Sequence, residues 1–288
     1  MTVSSINLKA AHKEFLDFLK EKGRASATIL AYGSDLQQLI DFFQKSGKTT
    51  ADQINKNDLE DFKKNLTKEG YTPKSISRKI NSIRTFFKIL VTNKIIKESP
   101  ANSLTHPKYE TKPPRILSRM EYRALRDACR NDIRINSIIE LFLQTGVRIG
   151  ELSNLEVDDI KDKMLNIKPY ESQGGREIPL NPAVKSSLEA YLKVRPKSKS
   201  KTLFLTKSGK SFLIRNIRGA IDRYFKLAGI KDSTVNDLRH TFISHQLKAG
   251  VPLVLISKIV GHKRLSTTEK YLKFIKEKSS QNLKLKEL

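Results

Sequence analysis

Three segments of the chain carry side chains suited to one reaction: TGVRIGEL at 145–152, NDLRHTFISHQLKAG at 236–250 and VGHKRLSTTEKYL at 260–272. In chain order they supply Arg148, Arg239, His262 and Tyr271, with Glu151 and His240 beside the arginines. Transfer of a phosphoryl group between oxygens concentrates negative charge on the non-bridging oxygens, and two guanidinium forks are suited to hold them. A tyrosine hydroxyl, with an ordinary pKa of about 10, attacks phosphorus near neutrality only if its proton is withdrawn or its developing oxyanion is stabilised. Arg148 and Arg239 serve both ends, and His262 is suited to hydrogen-bond the phosphate or to share in proton transfer. Such a set requires neither metal nor nucleotide. Taken singly, each residue has an ordinary reading: a phosphate-positioning or solvated arginine, a half-buried tyrosine, a histidine that satisfies a turn.

These residues need rigid elements under them. Leu8, Ala11, Phe15, Phe18 and Leu19 recur at helical spacing up to Gly23, and Ile29, Tyr32, Leu36, Leu39, Ile40 and Phe43 do so up to Gly47. A third helix is predicted near Asp58–Lys68 and a fourth near Ser75–Asn93, giving a four-helix bundle. Residues 99–118, with four prolines, predict an extended strap holding the domain boundary. The expected division is 1–106, a linker at 107–117, and a second domain at 118–288.

Ser118 and Glu121 form a capping-box pattern that opens the second domain, and a helix through Ile138, Leu141, Phe142 and Thr145 runs to Gly146. MLNIKPY (164–170) and REIPL (176–180) flank the polar turn ESQGG as a hairpin, with LFL (203–205) expected as a third strand. Further helices are predicted near 182–195, 212–228, 236–249, 252–260 and 266–275. The predicted class is mostly α with a small antiparallel sheet.

Composition points to the partner. Lys and Arg number 55 against 30 Asp and Glu, a net charge of +25, with +7 in residues 1–106 and +18 in 107–288. Repulsion on that scale favours a polyanion, nucleic acid first. Cys129 is the single cysteine, which excludes an internal disulfide, and the five histidines show no metal-ligand spacing. No apolar run approaches the ~20 residues that cross a bilayer, and the amino-terminal MTVSSINLKAAHKEF lacks a signal-peptide core. A cytoplasmic, nucleoid-associated protein without a cofactor is expected.

With these segments in this order, the chain resembles the tyrosine recombinase family, closest to the Xer recombinases of bacteria and archaea, along essentially its whole length. The family's TG-x-R-x-x-E-L form maps its first arginine onto Arg148, with Glu151 and Leu152 at the expected offsets. Its L-R-H segment maps the second arginine onto Arg239, followed by His240. Its G-H pair falls on Gly261 and His262, and its nucleophile, nine residues on, is Tyr271. The resemblance implies a helical, SAM-like core-binding domain followed by an α+β catalytic domain. It also implies a 3′-phosphotyrosyl intermediate that a 5′-hydroxyl from a second duplex attacks. Glu151 and His240 take supporting roles, and His245 a structural one.

By the same resemblance, double-stranded DNA lies between the two domains and a homotetramer forms the synapse. Lys74, Arg78, Lys79 and Arg84 are candidate DNA contacts. The tail SSQNLKLKEL, with Leu283, Leu285 and Leu288, docks on a neighbouring protomer. Chromosome-dimer resolution is the expected role, with mobile-element integration and catalytically reduced DNA binding as alternatives.

Two positions depart from the family pattern. Asn236 stands three residues before Arg239, where members usually carry histidine, and an amide cannot carry a proton at neutral pH. Glu171 or Gln173 stands where members place a hairpin lysine that protonates the leaving 5′-oxygen. Lys168 is the nearest substitute, and Arg176, also within reach, rarely loses a proton. Slower cleavage than in a fully matched member, with binding unaffected, is the expectation.

Overall fold

The computed structural model describes residues 6–110 and 112–279. Leu283, Leu285 and Leu288 of the predicted docking tail lie outside the described residues. The chain divides into two compact units, Met1–Thr111 and Lys112–Leu288.

The first unit contains α1 (Leu8–Glu21), α2 (Ser26–Lys45), α3 (Lys56–Lys68) and α4 (Pro73–Thr92). Their starts follow from capping chemistry. The Asn55 and Thr72 side chains accept from backbone amides of the first turns of α3 and α4, and Pro73 occupies the first turn of α4 where no N–H is needed. Leu8, Phe15, Leu36, Phe43, Leu59, Phe62, Ile80 and Phe87 form the core between the helices. Each such side chain contributes roughly 1.5–3 kcal/mol by leaving water. Ala101 and Leu104 join this core, so the predicted strap begins only after them.

One ionic cluster is buried in this unit. Asp35 of α2 accepts from Lys79 Nζ at 3.0 Å, from Ser82 Oγ at 2.9 Å and from Arg78. Lys79 is only 5% exposed and also donates to Gln38. Its expected role as a free DNA contact is therefore corrected: it ties α2 to α4, because a carboxylate inside the bundle needs a cation beside it. Arg84 donates to the Leu104 carbonyl at 2.7 Å, whereas Lys74 is exposed.

The second unit contains α5 (Arg119–Ala128), α6 (Ile133–Thr145), α7 (Ile149–Ser153), β1 (Ile160–Lys161), β2 (Met164–Ile167), β3 (Arg176–Pro179), α8 (Pro182–Val194), α9 (Ile214–Leu227), α10 (Val235–Lys248), α11 (Leu253–Val260) and α12 (Leu265–Ser279). Ser118 and Glu121 form the predicted capping box on α5. Helix α6 packs against α8 and α10, and buries Ile135, Ile138, Ile139, Leu141 and Phe142. The sheet is antiparallel in the order β1-β2-β3, with Leu165 opposite Ile178 and Ile167 opposite Arg176.

Residues 203–205 do not form the third strand; Ile160–Lys161 does. Leu203, Phe204 and Leu205 are all buried, and the chain around them makes single bridges to two separate partners, Glu156 with Thr202 and Leu205 with Ser211. Consecutive buried side chains without alternation suit a core-crossing loop better than a strand with one face in the core. Among the described residues, no helix is long and apolar enough to cross a membrane.

Candidate active site

Arg148, Arg239, His262 and Tyr271, spread over more than 120 residues of sequence, come together where α7, α10, α11 and α12 meet. Helix α6 stops at Gly146, whose φ of +63° is left-handed. A Cβ there would meet the Phe242 ring at 2.5 Å, so only glycine fits. The sharp stop places Arg148 at the amino-terminal cap of α7 and turns the Gly146 carbonyl toward Arg239, which donates to it.

Three guanidiniums converge on the last carbonyls of α11. Arg176 Nε donates to Ile259 O at 2.6 Å, Arg148 Nη1 and Arg239 Nη2 to Val260 O at 3.1 and 2.6 Å, and Arg148 Nη2 to Gly261 O at 2.6 Å. A helix carboxyl end presents unpaired carbonyls and partial negative charge, which holds cations in place. Gly261 is left-handed at φ +65°, and a Cβ on it would lie 3.0 Å from Arg176 Nη1 and 3.2 Å from Arg148 Nη1. The glycine before His262 thus admits the arginines as well as ending the helix.

Glu151 fixes two of these arginines from below. Its side chain is fully buried, and its two oxygens accept from Arg176 Nη1 and Nη2 at 2.8 and 2.7 Å. It also accepts from Arg148 Nη1 at 3.0 Å and from the Arg148 backbone amide at 2.8 Å. Burial pushes the Glu151 carboxyl upward, but the fork and charge of Arg176, with Arg148, outweigh it and hold it below the usual carboxylate range. The hairpin tip is held close by: Tyr170 and Gln173 exchange backbone bonds, and a Cβ on Gly150 of α7 would meet the Tyr170 ring at 2.7 Å.

Positive charge in the cluster exceeds what Glu151 neutralises. Burial, then the charge of Arg148, push Arg239 down to about 9, and it is bonded to carbonyls rather than to a carboxylate. It remains a cation at neutral pH. Of the five N–H donors on each guanidinium, three on Arg239 and two on Arg148 are left by these bonds, enough for the oxygens of a phosphate.

His262 follows Gly261 and its Nδ1 lies 2.8 Å from Thr268 Oγ1, a buried hydroxyl on α12. Burial, then the charges of Arg239 and Arg148, push His262 down to about 4, so it is a neutral imidazole at pH 7. Tyr271, 7% exposed, stacks its ring 6.4 Å from that of His262. Its hydroxyl lies 2.6 Å from His240 Nδ1. Burial raises the Tyr271 phenol despite the lowering effect of Arg239, and burial lowers His240.

Two sequence-predicted residues form no hydrogen bond within the cluster. Asn236 is exposed one turn before His240 on α10. Lys168 follows Ile167, whose side chain enters the core, and the strand alternation turns the lysine the other way. There it bonds Glu156 and lies 3.3 Å from Asp159 Oδ1, and the Glu156 hydrogen bond first of all raises its pKa. The structure does not bring Lys168 into the cluster. Arg176, conversely, joins Glu151 and α11, a role foreshadowed in the sequence only by its place at the start of the strand after the hairpin turn. Among the described residues, no three His, Cys, Asp or Glu side chains stand together as a metal site would.

Comparison with known proteins identifies the family. The phage integrase family model matches residues 115–278, and that of the phage integrase amino-terminal SAM-like domain matches 13–94. The chain is 30% identical over 278 residues to tyrosine recombinase XerD of Oceanobacillus iheyensis, covering 92% of this chain and 93% of the relative. It is 31% identical over 288 residues to tyrosine recombinase XerC of Leptospira interrogans, covering 96% and 92%. A lambda integrase tetramer bound to a Holliday junction shares the fold, with a TM-score of 0.73 at 18% identity over 90% of this chain and 78% of that one. With both halves matched by the family's models and relatives alike along almost their full length, the chain belongs to the phage integrase family, among its tyrosine recombinases, enzymes that cleave and rejoin DNA.

Proposed function

We propose that this protein recombines double-stranded DNA at a defined site through Tyr271, assembling as a homotetramer on two synapsed duplexes, and that its role is to resolve chromosome dimers at the nucleoid. Residues 1–106 serve as the core-binding domain, 107–117 as the linker and 118–288 as the catalytic domain. The names of the XerD and XerC relatives support the chromosomal role, and the lambda integrase tetramer supports the assembly.

In this reading Arg148 and Arg239 bind the non-bridging oxygens of the scissile phosphate, and His262 donates a hydrogen bond to the same group. The Tyr271 oxygen forms a bond to phosphorus, the bond to the 5′-oxygen breaks, and a 3′-phosphotyrosyl link remains. That link keeps the energy of the broken diester, so a 5′-hydroxyl from the partner duplex reverses the step without a nucleotide. Lys74, Arg78 and Arg84 are phosphate contacts on α4. The observation that carries the reading is the meeting of two arginines bonded to the Val260 carbonyl with a tyrosine whose ring lies against two histidines.

A nicked suicide duplex bearing candidate sites tests it. A protein–DNA adduct on a denaturing gel, lost in Tyr271→Phe, is the expected result. The ion pair of Lys168 with Glu156 and the exposed Asn236 favour one second reading, a relative that binds DNA with little cleavage. Tight DNA binding with no adduct at any site, pH or time selects it.

A further inference from the structure

We infer that His240 is the group that takes the phenolic proton when Tyr271 attacks, so that the proton-accepting task lies one helical turn beyond Asn236. This rests on the proposed role of Tyr271. The geometry is direct, with His240 Nδ1 2.6 Å from the Tyr271 hydroxyl and the two rings 5.8 Å apart. Among the described residues no other base is hydrogen-bonded to that hydroxyl: the Nδ1 of His262 is turned to Thr268, and Arg239 and Arg148 are cations bonded to carbonyls. Asn236 and His240 are four residues apart on α10 and so share one face, but only the histidine can hold a proton.

The Tyr271 oxygen bonds to phosphorus as its O–H bond breaks, and the proton passes to His240 Nδ1, giving an imidazolium. The 5′-oxygen leaves and takes a proton from solvent. On rejoining, the incoming 5′-hydroxyl yields its proton to solvent, the phosphorus–tyrosine bond breaks, and His240 returns its proton to the phenolate. The neighbourhood suits the cycle: Asp237 and Arg239 on α10, Tyr271 on α12 and His262 after α11 surround the imidazole, and burial keeps it neutral before attack.

Two measurements decide the matter. In single-turnover cleavage of the suicide duplex, His240→Gln is expected to slow adduct formation about a hundredfold, with DNA affinity unchanged. The rate of the unaltered protein should be level above pH 7, while that of the variant should climb with pH as hydroxide replaces the lost base. Fluorotyrosine at position 271, whose phenol is more acidic, should restore part of the variant's rate. A structural buttress would leave the pH profile level. Independently of cleavage, nitrogen NMR of the free protein should show His240 with Nδ1 unprotonated and Nε2 protonated. A protonated Nδ1, or a variant with unaltered rate or level profile, overturns the role of His240 alone. Failure of the unaltered protein to form any adduct overturns the reading of Tyr271 beneath it.

Discussion

Glu151 and Arg176 are joined through both carboxylate oxygens and both terminal guanidinium nitrogens, inside a site where the glutamate side chain has no solvent contact. Arg176 thereby sets the carboxylate that in turn holds Arg148. Removing one partner of a buried pair strands the other, at a cost of about 3–5 kcal/mol. Arg176→Met is expected to lower the urea midpoint accordingly and to slow cleavage through a displaced Arg148. Arg176→Lys should recover little, since an ammonium cannot bridge two oxygens and the Ile259 carbonyl together. The loss should also depend on pH. Glu151 titrates lower when folded than its ordinary 4.5, so its contribution is present above about pH 4.5 and disappears as pH falls through the folded value. Urea melts from pH 3 to 7 should show the two proteins converging in acid.

Gly261 leads to a second expectation. Alanine there adds left-handed strain of about 1–2 kcal/mol and presses on Arg148 and Arg176. Cleavage by Gly261→Ala should fall more than tenfold with DNA affinity nearly unchanged, because the phosphate-binding forks shift while the wider basic surface does not. An equal loss of affinity and rate would show that the glycine serves overall folding.

How far the sequence alone led is visible in these residues. Helical spacing located the helices of the first unit, since one face of each had to be apolar, and capping and start signals located several in the second; the four motif residues meet where α10, α11 and α12 pack together. Arg176 was legible only as a basic residue near a turn, because its partner lies 25 positions away and the fork depends on tertiary packing. Lys79 misled for a similar reason: charge and helix face alike suggested an exposed contact, and nothing local reveals that Asp35, 44 residues earlier, faces it. The LFL run misled because apolar β-formers fill buried loops as readily as strands.

That buried lysine makes DNA binding separable from stability. Lys79→Met leaves Asp35 with the half-exposed Arg78 as its cation beside the Ser82 hydroxyl and should lower stability by about 3 kcal/mol, while the salt dependence of DNA affinity stays the same. Lys74→Ala should leave the melting curve in place and reduce the slope of log affinity against log salt by about one. Fluorescence titrations at several salt concentrations, beside urea melts, test both; a reduced slope in Lys79→Met would refute the assignment.

His262 and Thr268 furnish the last expectation. With His262 pushed down to about 4, the unfolded chain, with its ordinary 6.5, binds a proton more readily than the folded one between these values. Stability therefore rises with pH across that window and is lost as pH falls through it. His262→Gln cannot titrate, so its urea midpoint should vary less between pH 4 and 6.5 than that of the unaltered protein. Thr268→Val tests orientation instead: with the hydroxyl gone, Nδ1 loses its 2.8 Å partner and the ring is free to turn. Cleavage should drop about tenfold, the lost positioning corresponding to roughly one hydrogen bond, and Thr268→Ser should restore it. A serine variant as slow as the valine one would mean that the methyl packing of Thr268, rather than its hydroxyl, places His262.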